Sequence, residues 1–213
     1  MRAFDAQSVD GGSGDGCSGH GRSGGGAMTE EWTSATRAAV AALTSATDDE
    51  IVSAAVARAR GEITTGVTGR PGAGKSTLVC ALSGRVSGTL REIHGVDAPD
   101  VPDPPLDVDV LLHVVARGIT DADRAVLAAR RSAPTLVVAG RLDLGTDEPD
   151  TVRADDVEAI VGWWTDACET ARRRRGLVLC AELETVAAER PHTRAAVEAF
   201  LRDPAIIAVR GAS

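Results

Sequence analysis

Residues 69–76 have the types and spacing of a phosphate-binding loop. They read GRPGAGKS and match the pattern G-x-x-x-x-G-K-[ST] at every defined position. Glycines let the backbone turn, so that successive N–H groups point inward at a chain of phosphates. Lys75 is then expected to reach the β- and γ-phosphates, and the hydroxyl of Ser76 to bind Mg²⁺. The chemistry that this segment predicts is the binding of a nucleoside triphosphate.

The predicted nucleotide-contacting set covers the whole loop and the residue after it. Its members are Gly69, Arg70, Pro71, Gly72, Ala73, Gly74, Lys75, Ser76 and Thr77. Lys75 is the only lysine among the chain's 23 lysine and arginine residues. An arginine is larger and forked, and it does not replace a compact ammonium in a tight phosphate cradle. The single lysine therefore indicates a role in phosphate binding, and we predict Lys75 as a catalytic residue as well.

A loop of this kind needs a strand before it and a helix after it. The β-rich segment EITTGVT (62–68) precedes the loop, and residues 74–83 have a helical pattern. Beyond them, apolar runs alternate with helical patterns. Strands are predicted at 90–96, 107–116, 134–140 and 176–181, and helices at 120–131, 153–174 and 192–201. Near-continuous Val and Leu runs are typical of parallel strands covered on both faces. The predicted fold is α/β, a doubly wound, mainly parallel sheet of the P-loop NTPase type.

The N-terminal part of the chain differs in composition from the rest. Residues 1–27 are rich in Gly and Ser, so we expect a disordered leader, with the physiological start at Met28. Helices are predicted at 29–46 and 48–60, the second opening on a capping box in TDDE (47–50). These two helices are expected to form a hairpin domain over 28–60 that packs on the nucleotide-binding domain, 61–213.

Charge and cysteine content limit the class of function. The net charge of −8 argues against general nucleic-acid binding, which requires a basic footprint. The one basic run, residues 172–175, is interpreted as the solvated end of a helix, with a membrane or partner patch as the alternative. No C-x-x-C spacing occurs among Cys17, Cys80, Cys168 and Cys180.

The cysteines therefore indicate reduced thiols and a cytoplasmic location rather than a metal or redox site. No apolar run approaches the length needed to cross a bilayer, and no signal peptide is recognisable at the N-terminus.

The order of the motifs resembles the P-loop GTPases, in the broad group that includes the Era-like and dynamin-like proteins. The resemblance covers residues 62–201. Residues 107–144 look like that family's fourth strand, third helix and fifth strand, followed by its base-recognition motif N-K-x-D. Gly140, Arg141, Leu142 and Asp143 occupy the four positions. The resemblance implies that Asp143 accepts two hydrogen bonds from guanine and that the stem of Arg141 covers the base. Gly140 replaces an asparagine that braces the loop.

A second passage, VLCAEL (178–183), resembles the S-A motif on the family's last strand. Cys180 and Ala181 stand in place of Ser and Ala, which implies that the backbone of Ala181 contacts the guanine carbonyl. The D-x-x-G motif, which senses the γ-phosphate, has its best match in DAPD (97–100). Asp97 would hold Mg²⁺ together with Ser76 and act in catalysis. Asp100 replaces the motif's glycine, and no glutamine or histidine follows it to orient water.

These features predict a protein that binds GTP or GDP with Mg²⁺ and hydrolyses GTP slowly, or only with a protein activator. It would act as a switch or assembly factor. A P-loop ATPase or small-molecule kinase remains open, although no arginine-bearing lid is recognisable and the strand at 107–116 ends in Ala116 rather than aspartate. A nucleotide-dependent adaptor that does not hydrolyse also remains open.

Overall fold

The computed structural model describes residues 34–94, 105–130, 133–140 and 151–211. Within them, five strands form one sheet in the order β2-β1-β3-β4-β5, and every neighbouring pair is parallel. The strands are β1 (Thr64–Gly69), β2 (Thr89–Glu92), β3 (Val110–Val115), β4 (Thr135–Ala139) and β5 (Thr151–Arg153). The predicted parallel α/β sheet is therefore confirmed.

Seven helices belong to the described residues. They are α1 (Ser34–Ala46), α2 (Glu50–Arg60), α3 (Lys75–Leu82), α4 (Asp121–Ala129), α5 (Val157–Glu189), α6 (Arg194–Leu201) and α7 (Pro204–Gly211). None of them combines the length and the apolar character needed to cross a membrane.

The sheet is covered by helices on both faces. All six residues of β3 are buried, and neighbours along the strand point to opposite sides. Leu111 packs with Val126 of α4, whereas Leu112 packs with Leu78 of α3 and Ile160 of α5. This burial on both faces explains the continuous apolar sequence of the strand.

A second apolar core joins α1 and α2 to the C-terminal part of the chain. Val40 and Leu43 of α1 and Val52 of α2 share it with Leu183 of α5 and Phe200 of α6. The N-terminal helices therefore pack in a bundle with α5, α6 and α7. Residues 1–27 and Met28, where a disordered leader and a start site were predicted, lie outside the described residues.

The predicted strand at 176–181 is wrong, because these residues lie inside α5, which is 33 residues long. Leu179, Cys180 and Leu183 are buried at helical spacing, while Val178 is exposed. The basic run 172–175 consequently lies in the middle of α5 and not at its end. The helix predicted from 153 begins only at Val157, because the short edge strand β5 comes first.

Candidate functional site

The loop 69–76 lies where the order of the strands changes direction. After β1 the chain goes to β2 on one side and then to β3 on the other, which makes the carboxyl ends of β1 and β3 a topological switch point. Ligands of open α/β sheets bind in the crevice at such a point. Gly69 is the last residue of β1 and Lys75 the first of α3, so the loop occupies that crevice.

Two glycines of the loop are required by its geometry. Gly69 has φ +140°, and a Cβ there would lie 2.2 Å from the carbonyl oxygen of Val114 in β3. Gly74 has φ +103° and is the N-cap of α3, without a capping side chain. The first N–H groups of α3, from Lys75 to Thr77, therefore lack a side-chain cap. Uncapped N–H groups at the positive end of a helix suit an anion.

Lys75 is buried, with 7% of its surface exposed. Its Nζ donates a hydrogen bond to the carbonyl oxygen of Arg70, 3.0 Å away, so the side chain folds back across the loop. Within the described parts of the chain, no carboxylate pairs with this ammonium. A buried lysine is rare unless it is paired, because a charge removed from water needs compensation. Among the described residues, the compensation that Lys75 receives is the hydrogen bond to the carbonyl oxygen of Arg70.

A carboxylate that was not among the predicted site residues lies beside Ser76. The Oγ of Ser76 donates to Oε1 of Glu92, 3.1 Å away, and Glu92 is the last residue of β2. The ring Nδ1 of His94 lies 3.6 Å from the same carboxylate oxygen. The signal available in the sequence was an acidic residue at the end of a strand that pairs with β1. It was missed because the predicted strand at 90–96 extends past Glu92, whereas β2 ends at Glu92.

Gly140 brings the end of β4 against the phosphate loop. A Cβ on Gly140 would lie 1.9 Å from the carbonyl oxygen of Ala73, and its backbone is also near Gly74. Ala73 itself is buried in the core beneath the loop. Any side chain at position 140 would therefore displace the loop. This contact gives a physical reason for glycine at a position where the GTPase pattern has asparagine.

A buried polar pair supports the segment that follows β3. The Nε2 of His113 lies 2.8 Å from Oδ1 of Asp123, and both side chains are buried. Asp123 also accepts from the backbone N–H and the hydroxyl of Thr120, closing a capping box at the start of α4. Burial raises the pKa of Asp123, but these hydrogen bonds outweigh it and the pKa lies below its usual value. The carboxylate thus fixes α4 to the central strand.

The other predicted site residues are not brought to the loop by the described structure. Asp97, Arg141 and Asp143 lie outside the described residues. Cys180 and Ala181 lie in α5, and Cys180 is buried in the core shared with α1 and α2. They do not end a strand, so the prediction that they form an S-A motif on the last strand is wrong.

The position after the last strand of the sheet belongs to Ala154. Its N–H donates to the carbonyl oxygen of Ala139 at 2.9 Å, which places it beside the end of β4.

No protein-family model matches the chain, and a search of curated proteins gives no match.

Proposed function

We propose that this chain binds a guanine nucleotide, GTP or GDP, at the loop 69–76. The observation that carries the proposal is the buried ammonium of Lys75, which has no carboxylate partner among the described residues and is bonded only to the loop's own backbone. A triphosphate would supply the missing negative charge. The uncapped start of α3 would add N–H donors to the same anion.

The residues beside the loop fit Mg²⁺. This ion prefers hard oxygen ligands and usually takes one or two carboxylates together with the phosphates. The hydroxyl of Ser76 and the carboxylate of Glu92 are already in contact, so we propose that they hold the metal from the protein side. Asp97 stays a prediction for the same role. The metal would neutralise charge on the phosphates.

The proposed base site starts next to the phosphate loop. Gly140, whose backbone contacts the loop, directly precedes Arg141 in the chain, and Asp143 follows two residues later. This short connection supports the assignment of guanine recognition to Asp143, with Arg141 over the base. Ala154, rather than Ala181, is the small residue that we propose for the contact to the guanine carbonyl, because it follows β5 at the same edge of the sheet.

Hydrolysis is proposed to be slow, or to need a protein activator. The sequence has an aspartate, Asp100, where the γ-phosphate-sensing glycine belongs, and no glutamine or histidine follows it. The chain would then act as a nucleotide-dependent switch or assembly factor. A P-loop ATPase or kinase and an adaptor that does not hydrolyse are the alternatives.

Equilibrium titration with fluorescent GTP, GDP and ATP analogues tests the proposal. Guanine nucleotides are expected to bind at least about tenfold more tightly than ATP, a difference of about 1.4 kcal/mol. Lys75→Ala should abolish binding, whereas Arg60→Ala, an exposed control on α2, should not. A preference for ATP would favour the ATPase or kinase, and binding that survives Lys75→Ala would overturn the site. Measured turnover of GTP, with and without cell extract, separates an enzyme from an adaptor.

The metal ligands are tested by Mn²⁺ binding in the presence of GDP, followed by electron paramagnetic resonance. Glu92→Gln should weaken Mn²⁺ binding about tenfold or more, because it removes a charge from the proposed site. Glu158→Gln, at an exposed carboxylate paired with Arg85, is the control and should have no effect. Equal Mn²⁺ affinity in the Glu92→Gln and control variants would contradict the role of Glu92.

A further inference from the structure

A crevice of about 540 Å³ lies at the end of the sheet opposite the phosphate loop. It opens where α2 and the middle of α5 meet the C-terminal end of α4 and the start of the strands. Thr64, the first residue of β1, lines it, whereas Gly69 is the last residue of that strand. Five residues of extended chain separate the two by about 16 Å. The crevice is therefore distinct from the proposed nucleotide site.

The charges that line this crevice do not cancel. Four arginines face three carboxylates: Arg58, Arg130, Arg174 and Arg175 against Asp107, Asp109 and Glu182. The surplus is positive, although the whole chain carries a net charge of −8. Four of these seven side chains form ion pairs: Arg175 lies 2.6 Å from Asp109, and Arg58 lies 2.8 Å from Glu182. Arg130, Arg174 and Asp107 remain.

Arg130 is fixed in place but has no carboxylate bonded to it. It donates to the carbonyl oxygens of Leu106 and Val108, and its Nε is buried without a hydrogen-bond partner. Burial and the positive charge of Arg174 lower the pKa of Arg130, an effect that Asp107 and Asp109 partly offset. Arg130 and Arg174 both line the crevice, so two guanidinium groups border the same space.

Arg174 is exposed and makes no hydrogen bond or ion pair within the described part of the chain. It is therefore available to a ligand, while Arg130 is held rigidly by the backbone. A guanidinium that is already fixed loses little freedom when it binds an oxyanion.

The remaining wall leaves room for the organic part of a ligand. Ala55 and Ala59 of α2 and Ala171 of α5 line it with small side chains, together with Leu179. The volume is within the range of about 300–1,000 Å³ that is common for small-molecule sites. Together, the wall and the two guanidinium groups suit a small organic molecule with a compact anionic group.

We propose that this crevice binds a small phosphate monoester, with its phosphate between Arg130 and Arg174. Arg130 and Arg174 line the same crevice, and a phosphate group has three acceptor oxygens to share between their two guanidinium groups. A phosphate monoester carries about −1.5 to −2 at pH 7, whereas a carboxylate carries only one charge. The proposal does not depend on the nature of the nucleotide at the other site.

Isothermal titration calorimetry on the full chain with Lys75→Ala tests the proposal, because this change removes phosphate binding at the loop. Glycerol 3-phosphate and glucose 6-phosphate are the probes, and acetate is the monoanionic control. One equivalent of a phosphate monoester is expected to bind. Adding Arg174→Gln should weaken binding about tenfold or more, the value of one charge-assisted hydrogen bond. Adding Arg60→Gln, an exposed arginine outside the crevice, should leave it unchanged.

Arg174→Gln is preferred to a change at Arg130, because Arg130 also holds the backbone before β3. The proposal is overturned if the Lys75→Ala chain binds no phosphate monoester. It is also overturned if Arg174→Gln and Arg60→Gln have the same effect, or if acetate binds as tightly as the phosphates. Failure of guanine-nucleotide binding in the unaltered chain would leave this titration, and its conclusion, intact.

Discussion

Arg175, in the middle of α5, forms an ion pair with both carboxylate oxygens of Asp109, at 2.7 and 2.6 Å. The same guanidinium donates to the carbonyl oxygens of Gly61 and Glu62, and Asp109 accepts from the N–H of Thr64. One pair of side chains therefore joins the end of α2, the start of β1 and the approach to β3. This pair of side chains links the helical bundle to the sheet at the start of β1.

Breaking this pair should destabilise the whole chain. Asp109→Asn leaves Arg175 without its counter-charge in a position where the two side chains are only 21% and 17% exposed. We expect a loss of about 3 kcal/mol in the free energy of unfolding, measured by urea denaturation. Glu198→Gln, which breaks an exposed pair between Glu198 of α6 and Arg202 just after the helix, should cost less than about 0.5 kcal/mol. Similar losses in the two variants would contradict the linking role of Arg175 and Asp109.

Gly140 is predicted to be intolerant of any side chain. Gly140→Ala places a Cβ against the carbonyl of Ala73, so the phosphate loop must move. The expected cost is about 3 kcal/mol in stability, together with weaker nucleotide binding. Gly162→Ala is the matched control, because Gly162 lies in α5 with no atom near the new Cβ, and it should stabilise the chain by about 0.5–1 kcal/mol. Thermal unfolding and nucleotide titration of both variants check the prediction.

Lys75→Arg tests whether charge alone is sufficient at the loop. The substitution follows the residue preference of the rest of the chain and keeps the positive charge, but a forked guanidinium does not fit the space that a buried ammonium occupies. GDP affinity is expected to fall at least about tenfold. Undiminished affinity would mean that the lysine is not needed for its shape. Arg85→Lys, on an exposed pair with Glu158, is the reciprocal control and should leave affinity unchanged.

Asp49 is predicted to make stability depend on acid pH. Its carboxylate caps α2 and accepts hydrogen bonds from Arg190 and His192, and the bond from Arg190 is the main reason why its pKa falls from 3.8 to about 2. Since the folded state holds this proton less tightly than the unfolded state, the stabilisation is complete above about pH 4 and decreases as the pH falls to about 2.

Denaturation measured between pH 6 and pH 2 checks this prediction. The unaltered chain should lose more stability than Asp49→Asn over the lower part of that range, because asparagine keeps a capping side chain but has no proton to gain. Asp121→Asn, at an exposed aspartate, should follow the unaltered chain. Parallel curves for Asp49→Asn and the unaltered chain would show that Asp49 does not contribute in this way.

The sequence was sufficient to predict the strand before the loop 69–76 and the helix after it. The glycine and lysine spacing is specific, and the apolar runs predicted as strands at 107–116 and 134–140 contain β3 and β4. The segment 176–181 failed because a short run of Leu and Val fits a buried helix as well as a buried strand. What decides between them is packing, because Leu179, Cys180 and Leu183 are buried together in the core shared with α1 and α2.

The residues of other strands that contact the loop 69–76 were less predictable. The spacing of residues within one segment does not show which residues of another strand lie beside it. Glu92 meets Ser76 only because β2 pairs with β1 in one particular register, with Glu92 opposite Val67. Gly140 was interpreted as the replacement of an asparagine. The structure shows that the carbonyl oxygen of Ala73 lies too close for any side chain at position 140. Both relationships arise from packing between strands that are far apart in sequence.

Helix α5 makes the two cores inseparable. Its first half covers the sheet, where the indole N–H of Trp164 donates to the hydroxyl of Thr65, and its second half fills the centre of the bundle with Leu183. At 33 residues it is about 50 Å long. A fragment cut anywhere along this rod would leave each remainder with an exposed apolar surface. We therefore expect that neither half folds without the other.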